Sequence, residues 1–483
     1  MSRIVKSVNE EVLRRTAVRC KERGVTVPTF AQMRDPSGVP ETVQARLKQV
    51  GLWDLDPANL FRITWKNDMK TGLFGGVNAL EIPAALTGVK ARIIGLVGKF
   101  FPTGAHKVGA AFGCLVPRLV SGEFDPERHR AVWPSTGNYC RGGAFDSAIL
   151  GCTAVAILPE GMSKERFQWL KEIGAEVIAT PGCESNVKEI YDKCWELKRD
   201  PLNVIFNQFE EFGNPIWHYN VTGPALQEAF AAAAGHRLAA YVSATGSAGT
   251  IGAGDYLKTL HPGLRIVATE AQQCPTLYMN GFGDHRIEGI GDKHVPWVHN
   301  VRNTDAVAAI DDEDCMRILR LLNEPAGESF LGAAGVDAAT IADLKLLGIS
   351  GICNLLAAIK AAKFWELGEQ DVILTIFTDS VDMYRSRLDE LSAERGAYTS
   401  VDAGKDLDAC LLHQNRDWFK ELGFIDRKAL HNLKYYTWVE QQGRTVQELN
   451  QLWDPGFWQE TFETEGQGFD RLIGAFNAEV ARA

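Results

Sequence analysis

No stretch of the 483-residue chain approaches the roughly 18 uninterrupted apolar residues of a membrane-spanning helix, so none is expected. The first twenty residues, Met1 to Cys20, alternate charged and apolar positions and lack the continuous apolar segment of a secretory signal. Ten cysteines are scattered from Cys20 to Cys410 without one C-x-x-C pair, which speaks against the zinc and disulfide frameworks that such spacings announce. Reduced thiols, no metal and a cytoplasmic location are the expectation. Positive charge is also short. The 51 Lys and Arg face 61 Asp and Glu, a net charge of −10, and the pI is near 5.6. That balance speaks against nucleic acid and anionic membrane as partners, although a local anion site is compatible with it. What remains is ordinary globular composition, 45% hydrophobic and 23% charged, long enough for roughly three domains.

Residues 1–60 show helical periodicity broken by Pro28, Pro36, Pro40 and Pro57, and are predicted to form an extension of short helices and loops. From about Ala91 short β-rich runs alternate with amphipathic stretches: Ala91–Val97, Ala131–Trp133, Thr153–Leu158, Glu176–Thr180, Val204–Asn207, Ala239–Ser243, Arg265–Glu270 and Val372–Phe377. The alternation predicts an α/β fold with largely parallel sheets. Ser163 is placed to cap the helix that follows it and Gly174 to end it; Thr445 with Glu448 forms a capping box. Residues 391–483 return to helical periodicity with many aromatics, whose expected use is packing onto the core or onto a second copy of the chain.

Three segments carry chemistry. In Phe101-Pro102-Thr103-Gly104-Ala105-His106-Lys107 a turn leads a lysine into a small-residue helix, where the dipole and burial favour the neutral amine that forms Schiff bases. A solvated surface lysine has the same sequence signature. Ser135-Thr136-Gly137-Asn138 follows a strand and offers a carboxylate cradle at a helix start, or merely a polar turn. Gly246-Ser247-Ala248-Gly249-Thr250 follows another strand and suits a single phosphate monoester. It lacks the Lys-Ser/Thr of a P-loop, and no dinucleotide fingerprint stands near it, which argues against a nicotinamide dehydrogenase.

Lysine, carboxylate cradle and phosphate nest in this order resemble the fold type II enzymes of pyridoxal phosphate, and most closely the cysteine synthase and cystathionine β-synthase group. Further segments carry the resemblance: Pro159–Arg166 through Glu176, Asn207–Glu210 to Thr222-Gly223-Pro224, Gly289-Ile290-Gly291, Gly348-Ile349-Ser350 and Thr378-Asp379-Ser380, so that roughly residues 75–390 are covered. Gly104-Ala105-His106-Lys107 is instead similar to the tryptophan synthase β-subunit, and the phosphate loop reads Gly-Ser-Ala-Gly-Thr where Gly-Thr-Gly-Gly-Thr is usual.

The resemblance implies a tryptophan synthase β-like architecture of two three-layer α/β domains with mostly parallel sheets, divided as 61–215 and 216–390 with some strand exchange. Helical extensions at 1–60 and 391–483 flank them. It implies Lys107 as Schiff-base lysine and base, Asn138 on the cofactor's 3′-hydroxyl, and Gly246, Ser247, Ala248, Gly249 and Thr250 on its phosphate. Ser350 would face the ring nitrogen, although Ser is also a preferred helix cap. Ser135, Thr136, Gly137 and Asn138 with Gln208 would bind an amino-acid substrate. The implied activity is β-replacement or β-elimination on a Ser- or Cys-like amino acid through an aminoacrylate, by a homodimer. The alternative is a lyase or dehydratase releasing a 2-keto acid and ammonia. Cys140, beside the cradle, is expected to pack rather than react.

Overall fold

Runs rich in Val, Ile, Leu and Ala become mostly buried strands, and eleven strands among the described residues assemble into two sheets. The computed structural model describes residues 3–135, 137–182, 187–291 and 293–483; of the site positions singled out above, Thr136 lies outside them. The strands are β1 (Ala79–Ile82), β2 (Arg92–Val97), β3 (Arg130–Pro134), β4 (Thr153–Pro159), β5 (Glu176–Thr180), β6 (Asn203–Ile205), β7 (Arg237–Ala244), β8 (Arg265–Ala271), β9 (Ala306–Ile310), β10 (Asp371–Phe377) and β11 (Phe419–Glu421). The larger sheet has the order β1-β2-β10-β7-β8-β9-β11 and the smaller β5-β4-β3-β6. Pairing is parallel throughout except at the two edges of the larger sheet, where β1 and β11 run antiparallel to β2 and β9. Helices between the strands cover the sheets, as the α/β alternation predicts.

All eight predicted strands are present, within about two residues of the expected bounds. Three more were not expected. β9 is mostly alanine yet fully buried, β1 is half exposed, and β11 is a three-residue strand inside a tail predicted to be helical. β11 covers the edge that β9 would otherwise leave open. A second difference concerns Ser163. Its hydroxyl caps nothing; the carboxylate of Glu288 faces its amide instead, 3.4 Å away, and supplies the negative charge favoured at a helix N-terminus. Gly174 ends that helix at φ +83°, and the Thr445–Glu448 box is formed.

The two ends of the chain pack together. Phe30 meets Phe469 edge-on at 5.9 Å and Phe112 at 6.3 Å, and Asn477 exchanges hydrogen bonds with both backbone groups of Val27. The tail aromatics Trp438, Trp458, Phe462, Phe469 and Phe476 all belong to the main core. The helix Lys107–Val120 runs through that core, and Gly113 crosses Gly213 so closely that a Cβ on either would strike the other's backbone. Among the described residues no single helix is long and apolar enough to cross a membrane.

Candidate active site

The turn Pro102–Gly104 delivers Lys107 as the first residue of its helix, with Gly104 at φ +73° and Thr103 Oγ1 donating to Ala105 O at 3.1 Å. Lys107 Nζ reaches a cavity and donates to Gly289 O at 3.1 Å. Beside it stand two buried imidazoles: His106 lies over Trp65 with centroids 5.5 Å apart and meets His218 edge-on at 5.1 Å. His218 is fixed through Nδ1 on Thr222 Oγ1 at 2.9 Å, a hydroxyl that also receives Trp65 Nε1 at 3.0 Å. Burial and the neighbouring lysine hold both imidazoles neutral, His218 down to about 3.

The loop Gly246–Thr250 forms the facing wall and runs into the helix Ile251–Leu260, so its amides converge in the field of a helix N-terminus. Ala248 sits there at φ +60°, left-handed although it carries a Cβ. Gly249 accommodates the Asn214 side chain, onto whose amide a Cβ would fall. Asn214 Nδ2 donates to Ser247 Oγ and to Gln208 O, both at 3.0 Å. Gln208 completes the cavity with its Oε1 buried and without a donor.

Ser135, Gly137, Asn138 and Ser350 are not on the lining of this cavity. Gly137 N donates to Ser135 Oγ at 3.0 Å, and Asn138 Nδ2 donates to Asp379 Oδ2 at 2.6 Å while its Oδ1 is buried without a partner. Gly137 has φ +153°, and a Cβ on it would land on the Arg166 guanidinium. Arg166 is fully buried against Glu288 and donates to Tyr384 OH at 3.1 Å; that hydroxyl passes on to Asp379 Oδ2 at 2.7 Å. Arg387 closes the chain on Glu288 Oε1 at 2.6 Å. Ser350 Oγ is buried and unpartnered near Gly289, so its hydroxyl is not a helix cap. Cys140 packs as expected: Sγ faces Gly137 O at 2.9 Å, and burial pushes the thiol up to about 12.

Sequence reasoning missed His218, Asn214, Asn354 and Thr378, which also line the cavity. Asn214 and His218 fall inside the Asn207–Thr222 segment, and Thr378 opens the Thr-Asp-Ser triplet, so the signal for three of the four lay in motifs already marked. Asn354 carried none. The donor set fits a small phosphate-bearing aldehyde: amides converging on one side, a lysine amine on the other, and unpartnered polar atoms of His106, Gln208 and Asn354 between them. Gly289 and Gly291, beside Lys107 Nζ, are both left-handed, at φ +97° and +87°.

Residues 98–379 match the family model described as pyridoxal-phosphate dependent enzyme. The chain belongs to that family. It is therefore a pyridoxal-phosphate-dependent enzyme. It is 32% identical over 286 residues to a cysteine synthase of Staphylococcus aureus, covering 59% of this chain and 84% of that one. Cystathionine beta-synthase of Saccharomyces cerevisiae matches over 406 residues at 28% identity, 81% of this chain and 76% of the relative. Among solved structures, the O-acetylserine dependent cystathionine beta-synthase of Helicobacter pylori aligns with TM-score 0.54 and 25% identity, covering 64% and 94% of the two chains. A cysteine synthase of Entamoeba histolytica aligns at 0.57 and 23%, covering 71% and 94%, and this second likeness bears on fold.

Proposed function

We propose that the protein carries out β-replacement or β-elimination on a serine- or cysteine-like amino acid. The observation that carries this reading is the single cavity bringing Lys107, Gln208 and Gly246–Thr250 together in a chain of this family. The names of the cysteine synthase and cystathionine beta-synthase relatives support it. When bound, the cofactor supplies an electron sink for the charge left at the substrate's Cα.

In this reading Gly246, Ser247, Ala248, Gly249 and Thr250 hold the phosphate through their amides, Asn138 holds the ring hydroxyl, and Ser350 presents a neutral hydroxyl to the ring nitrogen. Ser135, Thr136 and Gly137 with Gln208 hold the substrate carboxylate, which orients the Cα–H bond toward Lys107 Nζ. Lys107 binds the cofactor, removes that proton and returns one to the leaving group or product. The neutral His106 and His218 add no positive charge beside the amine. Closure of the Gly289–Gly291 segment keeps water from the reacting atoms.

The domain division at 60/61, 215/216 and 390/391 belongs to the same reading. The smaller sheet falls wholly within 61–215, while β1 and β2 from that stretch join the larger sheet with β7–β10, which supports strand exchange. Cytoplasmic location is supported by the nine described cysteines, all free. Homodimeric assembly is carried by the family resemblance, and light scattering in solution checks it.

Serine, O-acetylserine, O-phosphoserine, cysteine, cysteate and threonine are added in turn to the purified protein while visible absorption is followed. One of the Ser- or Cys-like compounds is expected to shift the cofactor band, and product analysis separates a new amino acid from a 2-keto acid with ammonia. Lys107→Ala is expected to lose the band and to slow turnover by several orders of magnitude. Absence of any cofactor band after addition of pyridoxal phosphate overturns the assignment.

A further inference from the structure

Where the C-terminal tail meets the helix Ile251–Leu260 there is a second cavity, of about 330 Å³, whose lining shares no residue with the one around Lys107. Tyr219, Asp255, Asn300, Trp458 and Phe462 form its walls, and Gln459 stands on its exposed rim. The Tyr219 and Phe462 rings stack at 4.7 Å. Each belongs to a π-helical turn, His218–Thr222 from the core and Thr461–Glu465 from the tail. Such turns are rare and frequent at functional sites; two more among the described residues, Leu407–Leu412 and Tyr435–Val439, lie outside this cavity.

Hydroxyl donors of the wall point elsewhere: Tyr219 OH donates to Glu463 Oε1 at 3.3 Å and Thr259 Oγ1 to Tyr256 O at 2.7 Å. Asp255, only 7% exposed, accepts at Oδ1 from the side-chain amide of Asn300 at 3.0 Å and from that of Asn303. With both amides turned to that oxygen, Asp255 Oδ2 and Asn300 Oδ1 are buried without any donor. Two described cations stand close, Lys258 and, on the lining itself, Arg302, and each is engaged outside the cavity. Lys258 pairs with Asp305 at 2.6 Å and donates to Asn303 O at 2.8 Å, while Arg302 donates to Trp453 O at 2.7 Å and lies over the Trp453 ring. Burial raises the Asp255 carboxyl to about 7 despite the amides of Asn303 and Asn300 and the charge of Lys258. Two unpartnered acceptors, one of them on a carboxylate, are complementary to a group that brings several N–H donors and a positive charge. Aromatic walls favour the same charge.

We propose that this cavity binds a small cationic amine, its ammonium held by Asp255 and Asn300 and its carbon chain lying among Tyr219, Trp458 and Phe462. The site is joined to the catalytic cavity by short covalent paths. Asp255 lies on the helix that follows Thr250, and Tyr219 adjoins His218.

Putrescine serves as the probe, added to the holoenzyme with binding followed by calorimetry and the cofactor by visible absorption. Saturable binding is expected at concentrations that leave the visible band unchanged, which separates this site from amine chemistry at Lys107. Asp255→Asn is expected to weaken binding by about tenfold or more. Gln459→Trp, a substitution at an exposed rim position that fills the mouth, is expected to do the same. Tetramethylammonium, charged but without N–H groups, is expected to bind about tenfold more weakly than putrescine. No saturable heat in the unaltered holoenzyme, equal affinity in both variants, or tetramethylammonium binding as well as putrescine overturns the proposal.

Discussion

The Gly246–Thr250 and Ser135–Asn138 loops both sit at strand ends and open helices, yet they are fastened in opposite ways. The first is held by short neutral bonds, mostly from its own sheet: Ser243 Oγ to Thr250 Oγ1 at 2.5 Å, Tyr241 OH to Thr250 O at 3.0 Å and Thr245 N to Thr269 O at 2.8 Å, with Asn214 Nδ2 reaching Ser247 Oγ at 3.0 Å from the other half. The second is supported by charge arriving from across the molecule. Arg166 fills the space under Gly137 and is neutralised by Glu288, which lies between β8 and β9 of the other sheet, while Asn138 rests on Asp379 at the end of β10. One loop is thus held by neutral hydrogen bonds, mostly from its own sheet, whereas the other is shaped by charged groups arriving from across the molecule.

Breaking the cross-molecule tie has the largest expected effect. Glu288→Gln leaves the buried Arg166 without its carboxylate and Arg387 with one fewer, and is expected to cost about 3–5 kcal/mol in a urea titration. It is also expected to raise the substrate KM far more than it weakens cofactor binding. Equal losses in both would show that the loops are not independently supported. Gly137→Ala comes next. It adds a Cβ at φ +153° where Arg166 already stands, at an expected cost of about 2–3 kcal/mol, with the cofactor band retained.

How much of this was legible beforehand follows the same division. The phosphate-type loop could be read because small residues after a β-run are a local signal, and Lys107 because its turn and helix are local too. The eight predicted strands carry aliphatic runs; β9, built of alanines, and β11, stabilised by pairing at an edge, do not. Arg166 and Glu288 were invisible as a pair because 122 residues separate them and neither sits in a pattern that demands a buried partner. Ser163 had a strong local cap signal, and a carboxylate from the other half displaced it. Local chemistry was readable, and contacts that depend on docking were not.

The imidazoles near Lys107 extend the contrast to pH. His218 is held near 3 in the folded protein by burial, whereas an unfolded chain takes up the proton near 6.5. The unfolded state therefore binds more protons between those values, so this contribution to stability is complete above pH 6.5 and declines as pH falls toward 3. Between pH 7 and 5 the loss from this one group is about 2 kcal/mol. His218→Asn is expected to flatten the acid limb of stability by that amount relative to the unaltered chain. An unchanged acid limb would mean that His218 is charged when folded, and that a cation does stand beside Lys107.

The smallest effect separates two adjacent residues of the phosphate-type loop. At Ala248 the left-handed backbone costs an L-residue about 1–2 kcal/mol. Replacement by glycine removes that strain, but it adds freedom to the unfolded chain and exposes the contact surface of a buried methyl, each worth about 0.5–1 kcal/mol. The terms nearly cancel, so Ala248→Gly is expected to change stability by less than about 0.5 kcal/mol and to leave cofactor affinity as it was. Gly249→Ala is different in kind, because its Cβ would displace the Asn214 amide that ties the loop to Gln208. A silent first substitution beside a damaging second would place the loop's rigidity in its side-chain ties and not in its glycine content. That would explain why Gly-Ser-Ala-Gly-Thr can stand where Gly-Thr-Gly-Gly-Thr is usual. If Ala248→Gly instead loosens cofactor binding severalfold, the methyl itself is part of the wall, and the two loops are alike in needing every contact they make.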